Sequence, residues 1–165
     1  MKQKFIGFLK LKTAYAHCDI PCGIYDPHQA QLAAHTVIRM TQLLKDVKRE
    51  GETIAEHDIA RMTRVKEKHG EMVEDELGTL ENDYFKEEHF KAYPQLKELI
   101  AEAVKLSIKT RQHIDMEASL ELLENVMKIA EIFYKSKGLE FARVKAPYPT
   151  GLDIVVPASP RGEQK

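Results

Sequence analysis

From Ala30 onward, apolar side chains recur at alternating three- and four-residue steps: Ala30, Ala33, Val37, Met40, Leu44 and Val47. That is the period of one buried helix face, and it predicts a helix over about 27–50. Asp26-Pro27-His28-Gln29 supplies the start, with Asp26 as N-cap, Pro27 at the first helical position and Gln29 placed to close a capping box. Glu50-Gly51-Glu52-Thr53 breaks the stripe, Gly51 as the residue just past the helix and Thr53 as the cap of the next. A second helix carries Ile54, Ile59, Met62, Val65, Met72, Val73, Leu77 and Leu80 and runs to about 81. A polar-aromatic link, Asn82 to Phe90, leads to a third helix near Pro94 that turns Leu96, Leu99, Ile100, Ala103 and Val104 inward. The fourth spans about 113–137, buries Met116, Leu120, Leu123, Met127, Ala130 and Phe133, and ends at Gly138.

The short connections after the first and third helices favour antiparallel neighbours. The predicted fold is therefore all-α, an up-down antiparallel four-helix bundle. Residues 141–165 change character, because Pro147, Pro149, Pro157 and Pro160 forbid a long helix. Within this irregular tail, Leu152-Asp153-Ile154-Val155-Val156 suits a short extended segment lying on the bundle or on a neighbouring subunit. The expected organisation is a leader over 1–16, a body over 17–140 and a proline-rich extension over 141–165.

Composition narrows the classes of partner. The 25 Lys+Arg against 26 Asp+Glu leave no basic surplus for nucleic acid. No run approaches the roughly 18 apolar residues of a membrane span, so no membrane partner is expected. Two cysteines in 165 residues are not a disulfide scaffold.

Those two cysteines carry the chemistry. They sit in His17-Cys18-Asp19-Ile20-Pro21-Cys22-Gly23, two thiols and an imidazole packed into one short hook. Before it, Met1-Lys2-Gln3-Lys4, Phe5-Ile6-Gly7-Phe8-Leu9 and Ala14-Tyr15-Ala16 imitate a secretory signal. Lys10 and Lys12 cut the apolar run short of the about seven residues an export signal needs. Residues 1–16 read as a pro-segment removed by a protease in the cytoplasm, with export the weaker alternative. Cleavage after Ala16 would make His17 an N-terminus. Its amine and the Cys18 amide nitrogen then close one chelate ring on a metal, and that nitrogen with the Cys18 thiolate closes a second. Cys22, brought round by the turn at Pro21, completes a planar N2S2 set, and the His17 ring reaches an axial position.

A square plane speaks against zinc and for Ni(II) or Cu(II). Thiolates and a deprotonated amide stabilise a higher oxidation state, which suits one-electron chemistry on a small anion. A C-x3-C pair taken alone fits structural thiols, a stray zinc or a disulfide, taken together, better than a redox nickel site; His17 directly before Cys18, Pro21-Cys22-Gly23 and a removable leader tilt it back. His28, His35, His57, His89 and His113 form no recognisable ligand cluster, and most are expected at the surface. Met40, Met62, Met72, Met116 and Met127 read as core packing.

His17-Cys18-Asp19-x-Pro21-Cys22-Gly23-x-Tyr25-Asp26-Pro27 resembles the N-terminal hook of nickel-containing superoxide dismutases. A second block agrees in order: Asp83-Tyr84-Phe85-Lys86, His89-Phe90, Tyr93-Pro94 and Leu96. The resemblance covers 17 to about 137 and implies dismutation of superoxide to dioxygen and hydrogen peroxide by a Ni(II)/Ni(III) ping-pong cycle, with one nickel ion per chain. It implies a homohexamer of four-helix bundles and maturation by a processing protease. Carried over by position, His17, Cys18 and Cys22 are the nickel ligands, and Tyr25 and Tyr84 line the approach to the metal. Asp19 and Pro21 shape its mouth. Apart from the resemblance, Lys86 reads more as a solvated side chain than as a local attractant for the anion.

There are departures. A Glu and an Arg that support the axial imidazole in well-known members correspond here to Ala33 and His69. His69 is expected on the apolar face of the second helix, more as a satisfied core histidine than as a neighbour of the metal. Two other readings compete with the enzyme: a non-catalytic nickel or copper carrier using the same hook, and a helical assembly module with a Cys18–Cys22 disulfide.

Overall fold

Helices account for most of the computed structural model, which describes residues 23–48 and 51–158. In order they are α1 (His28–Lys45), α2 (Glu52–Thr79), a π-helical turn (Leu80–Tyr84), α3 (Glu87–Ala92), α4 (Leu96–Gln112) and α5 (Met116–Ser136). Two strands follow, β1 (Phe141–Lys145) and β2 (Asp153–Pro157). None of the helices is long and apolar enough to cross a membrane among the described residues.

The helix ends show where local chemistry was read correctly and where it was not. The Asp26 carboxylate accepts the His28 N–H at 2.7 Å, satisfying a donor that the first turn leaves open. The Pro27 carbonyl receives the first intrahelical bond, from Gln31, so the cap sits one residue later than predicted. α1 stops at Lys45 rather than 50, because the Asp46 N–H turns back to both Gln42 and Leu43. Gly51 does not close α1. It opens α2 from a left-handed φ of 80°, and its carbonyl accepts from Ile54 and Ala55, which leaves Thr53 inside the helix rather than at its cap. The expected link after α2 is itself ordered. Phe85 N–H reaches back to Leu80 to widen the last turn, and the His89 ring accepts the Lys86 N–H to start α3. At Gly138, φ is 68°; the Gly138 and Leu139 N–H groups bond Lys135 and Tyr134, a Schellman stop where one was predicted.

α1 packs against α2 and α5, and α4 packs against the same two, so the four long helices share one core. Ile38, Val73, Leu77, Leu96, Ile100, Leu122, Ile129 and Phe133 are fully buried there. The early part of α2 departs from its predicted face. Ile54 is 70% exposed, whereas Lys66 is only 2% exposed and donates to the Thr110, Arg111 and His113 carbonyls at the end of α4. On α5, Leu120 is 42% exposed, and Ser119 takes the inward position, meeting the Thr41 hydroxyl at 3.3 Å. Small polar side chains at this crossing bring α1 and α5 together where a leucine was expected. The methionine stripe also divides. Met127 is buried, Met72 and Met116 pack at the core margin, and Met40 and Met62 line a surface groove.

The tail is not irregular. β1 and β2 form an antiparallel hairpin, with Arg143 opposite Val155, laid against α1 and α5. The predicted extended segment is β2. β1 was not foreseen, because Arg143 and Lys145 give it a polar look; Arg143 is held by Glu124 and Glu131 of α5 at 2.7–3.1 Å. Gln31 of α1 bonds Val155 reciprocally, accepting its N–H at 2.7 Å and donating to its carbonyl at 3.0 Å.

His35, expected at the surface, is buried under the hairpin. Its Nε2 donates to the Asp153 carbonyl at 3.1 Å, so Nδ1 accepts the Thr150 hydroxyl at 2.8 Å, and Tyr148 packs edge-on at 5.1 Å. Burial lowers its pKa from the ordinary 6.5, with Asp153 opposing more weakly. Between 6.5 and that lower value the unfolded chain binds more protons, so stability rises with pH across the window and is lost as pH falls below 6.5. The thermal midpoint should therefore drop on acidification from about pH 7 to about pH 5, and drop less steeply in His35→Gln, which does not titrate there. Equal slopes would remove His35 as the cause.

Candidate metal centre

The described chain begins at Gly23, five residues before α1, and Tyr25 is the first aromatic on it. Its ring lies 5.7 Å from that of Tyr84, tilted by 52°. The fold thus brings together the two tyrosines that the sequence nominated, one from the stretch before α1 and one from the end of the π turn. His17, Cys18, Asp19, Pro21 and Cys22 lie outside the described residues.

Tyr84 is held from several sides. Phe133 and Phe85 pack at 4.6 and 5.1 Å, and the His89 ring stacks on it at 5.5 Å and 21°. Ser136 donates its hydroxyl proton to the Phe133 carbonyl at 2.7 Å, so the Tyr84 hydroxyl donates to Ser136 Oγ, also at 2.7 Å. The Lys137 ammonium stands 5.2 Å from the Tyr84 ring centre and 4.9 Å from that of Phe133. His89 Nδ1 accepts the Lys86 N–H at 2.9 Å, which places the proton of the neutral ring on Nε2. Lys86 itself is exposed at the start of α3. Asp26 ties this end of the bundle together, capping α1 and receiving the Tyr134 hydroxyl at 3.5 Å. Burial, then the nearby Asp26 charge, pushes the Tyr134 phenol up to about 12, so it stays protonated.

Ser136, Lys137 and Phe133 were not foreseen as neighbours of the site. Ser136 meets a partner 52 positions upstream, a contact that no local pattern announces. His89, one of five histidines most of which are expected at the surface, belongs to the second motif and stacks on Tyr84.

Further along α1 and α2 lies a cavity of about 420 Å³, with Ala33, His35, His69, Met72, Tyr148 and Thr150 among its walls. The two departures from the family pattern, Ala33 and His69, therefore face one space. His69 is not a core histidine: it is half-buried, and its Nδ1 donates to the Val65 carbonyl one turn back at 2.8 Å.

Against known families, residues 12–137 match the model of the nickel-containing superoxide dismutases. The chain belongs to that family. The match runs from Lys12, through the two cysteines and both tyrosines, and stops just before Gly138. The superoxide dismutase [Ni] of Streptomyces seoulensis is 34% identical over 128 residues, covering 78% of this chain and 92% of the relative. That of Streptomyces coelicolor is 33% identical over 125 residues, covering 76% and 91%. Among solved structures, a nickel-containing superoxide dismutase after partial X-ray-induced reduction matches with a TM-score of 0.66 at 34% identity, over 74% of this chain and 99% of that one. A native nickel superoxide dismutase matches with a TM-score of 0.65 at 30% identity, over 73% and 99%. The β1–β2 hairpin lies beyond the stretch matched to the family.

Proposed function

We propose that this chain is a nickel superoxide dismutase that converts superoxide to dioxygen and hydrogen peroxide. One observation carries the reading: the family match spans both the hook sequence and the two tyrosines whose rings meet at 5.7 Å. The donor set fits the metal. The thiolates of Cys18 and Cys22, the Cys18 amide nitrogen, and the amine and ring of a processed His17 would hold the ion, a nitrogen and sulfur set that suits nickel. When bound, the nickel would supply a one-electron couple able to turn two superoxide ions and two protons into one dioxygen and one hydrogen peroxide.

The rest falls to the protein. Tyr25 and Tyr84 line the approach, with the Tyr84 hydroxyl oriented by Ser136. Lys137, over the Tyr84 ring, and Lys86 offer positive charge close to the path of an anion, where a net charge of -1 gives no global steering. Tyr84→Phe keeps the ring packing and loses only the bond to Ser136. It should retain its nickel, unfold within about 1.5 kcal/mol of the parent, and dismutate less than about tenfold more slowly. A loss of nickel in this variant would contradict a lining role.

The up-down antiparallel order of the bundle is supported by pairings that run in opposite directions along neighbouring helices. Lys66 meets Thr110 while Gly70 meets Ser107, and Asp26 meets Tyr134 while Thr41 meets Ser119. A homohexamer is supported by the exposed Ile54, Ile59 and Val65 of early α2, beside the half-buried Val47 and Met62. Residues 1–16 act as a pro-segment removed by a protease in the cytoplasm.

Elemental analysis and N-terminal mass on native protein, with a dismutation assay, test the function. About one nickel per chain, a start at His17 and turnover of superoxide are expected. Tight nickel without turnover would favour the carrier, and a Cys18–Cys22 disulfide without nickel would favour the assembly module.

A further inference from the structure

Among the described residues, two side chains of α1 hydrogen-bond the hairpin, and only one of them can change its charge. Gln31 takes both outward groups of Val155 and does not titrate. His35, only 4% exposed, spends Nε2 on the Asp153 carbonyl and Nδ1 on the Thr150 hydroxyl. A proton can enter this ring only at Nδ1, where it meets the hydroxyl proton of Thr150. The hydroxyl must then turn away, and the ring becomes a buried cation. Little around it offsets that cost. His69 of α2 lines the same cavity, as does Arg39 one turn further along α1, and neither is negative. From the hairpin, Tyr148 packs an aromatic edge on the ring and Lys145 stands opposite Asp153. The Asp153 charge favours a cation less than burial disfavours it.

The other strand is anchored differently. Arg143 of β1 reaches Glu131 and Glu124 of α5 at 2.7–3.1 Å, and its guanidinium holds the Glu124 carboxyl below the ordinary 4.5. That contribution is complete above 4.5 and is lost only as pH falls below it. The His35 contact fails earlier. A detached ring takes a proton near 6.5 and the attached ring only lower, so attachment weakens as pH falls below 6.5. In the interval between, the latch on α1 loosens while the anchor on α5 holds.

We propose that the hairpin is an acid-released strap: a proton on His35 lets β2 and the turn from Ala146 to Leu152 lift from α1, while Arg143 keeps β1 on α5. Tyr148, Pro149 and Thr150 of that turn wall the cavity of about 420 Å³ beside α1 and α2, so lifting opens it to solvent. The strap is independent of the nickel reading, since none of its residues belongs to the hook.

Amide hydrogen exchange of the folded full chain, read residue by residue and corrected for the intrinsic rate, tests it. The Val155 N–H is the reporter, because its acceptor is Gln31 of α1. Its opening should rise about tenfold from about pH 7 to about pH 5, while buried amides of α5 keep their protection. The rise should flatten where nuclear magnetic resonance of the ring shows His35 protonated in the folded chain. In His35→Gln, whose amide does not titrate, Val155 opening should stay constant with pH, whatever its level at neutral pH. An equal rise in His35→Gln, or a rise shared by α5, would overturn the proposal. Unchanged Val155 protection in the parent would do the same.

Discussion

A chain that begins at His17 and carries nickel is expected to dismutate superoxide. The same chain retaining Met1 to Ala16 is expected to be at least about a hundredfold less active, beyond what loss of an outer partner usually costs a metal site. The reason is one nitrogen. An N-terminal amine has a pKa of about 7.7–8.0 and binds a metal readily once deprotonated. Joined to its predecessor, residue 17 offers only a second amide nitrogen, a poor donor, and the first chelate ring loses its strong end. The helices from His28 to Ser136 are common to both forms, so both should fold while their nickel contents diverge. Equal activity would defeat the free-amine argument and leave the family assignment standing.

Lys66→Ala should lower the unfolding free energy by about 3 kcal/mol and the thermal midpoint by about 10 °C. Lys66 satisfies carbonyls that the last turn of α4 cannot satisfy itself, and it sets a cation at the negative end of that helix. Thr110 is buried, so its carbonyl would lose its donor with little water to replace it. Arg111 is half-buried and His113 exposed, and solvent can take over part of their share. The truncated stem also leaves a void beside α4. Lys66→Met fills that void without restoring a donor, so it should recover only part of the loss. Differential scanning calorimetry of the two variants separates the contributions, and a change below about 1 kcal/mol in Lys66→Ala would mean that the carbonyls find other partners.

Periodicity made the four long helices legible, because α1, α4 and α5 each present a regular apolar face to one core. It misled where polar chemistry took the inward position, as with Lys66 on α2 and Ser119 on α5. It also missed elements fixed by one or two specific bonds, among them α3, started by the His89 ring on Lys86, and β1, whose Arg143 is claimed by two glutamates. At the candidate site, the motifs name Tyr25 and Tyr84, whose rings the fold brings together. They do not name Ser136 and Lys137, since only the return of α5 to this end of the bundle brings them there. His69 was noticed for what it replaced, but its cavity exists only because a tail outside the family match folds back over α1.

The way that tail lies on α1 bears on solubility. A two-stranded hairpin ordinarily exposes two edges that invite another strand. Here the outward carbonyl of Asp153 is taken by His35, both outward groups of Val155 are taken by Gln31, and Pro157 has no N–H to offer. Side chains of a helix stand in for the missing third strand. Gln31→Ala should do little to the helices, yet it would reopen this edge and turn a sealed extension into a seam for self-association.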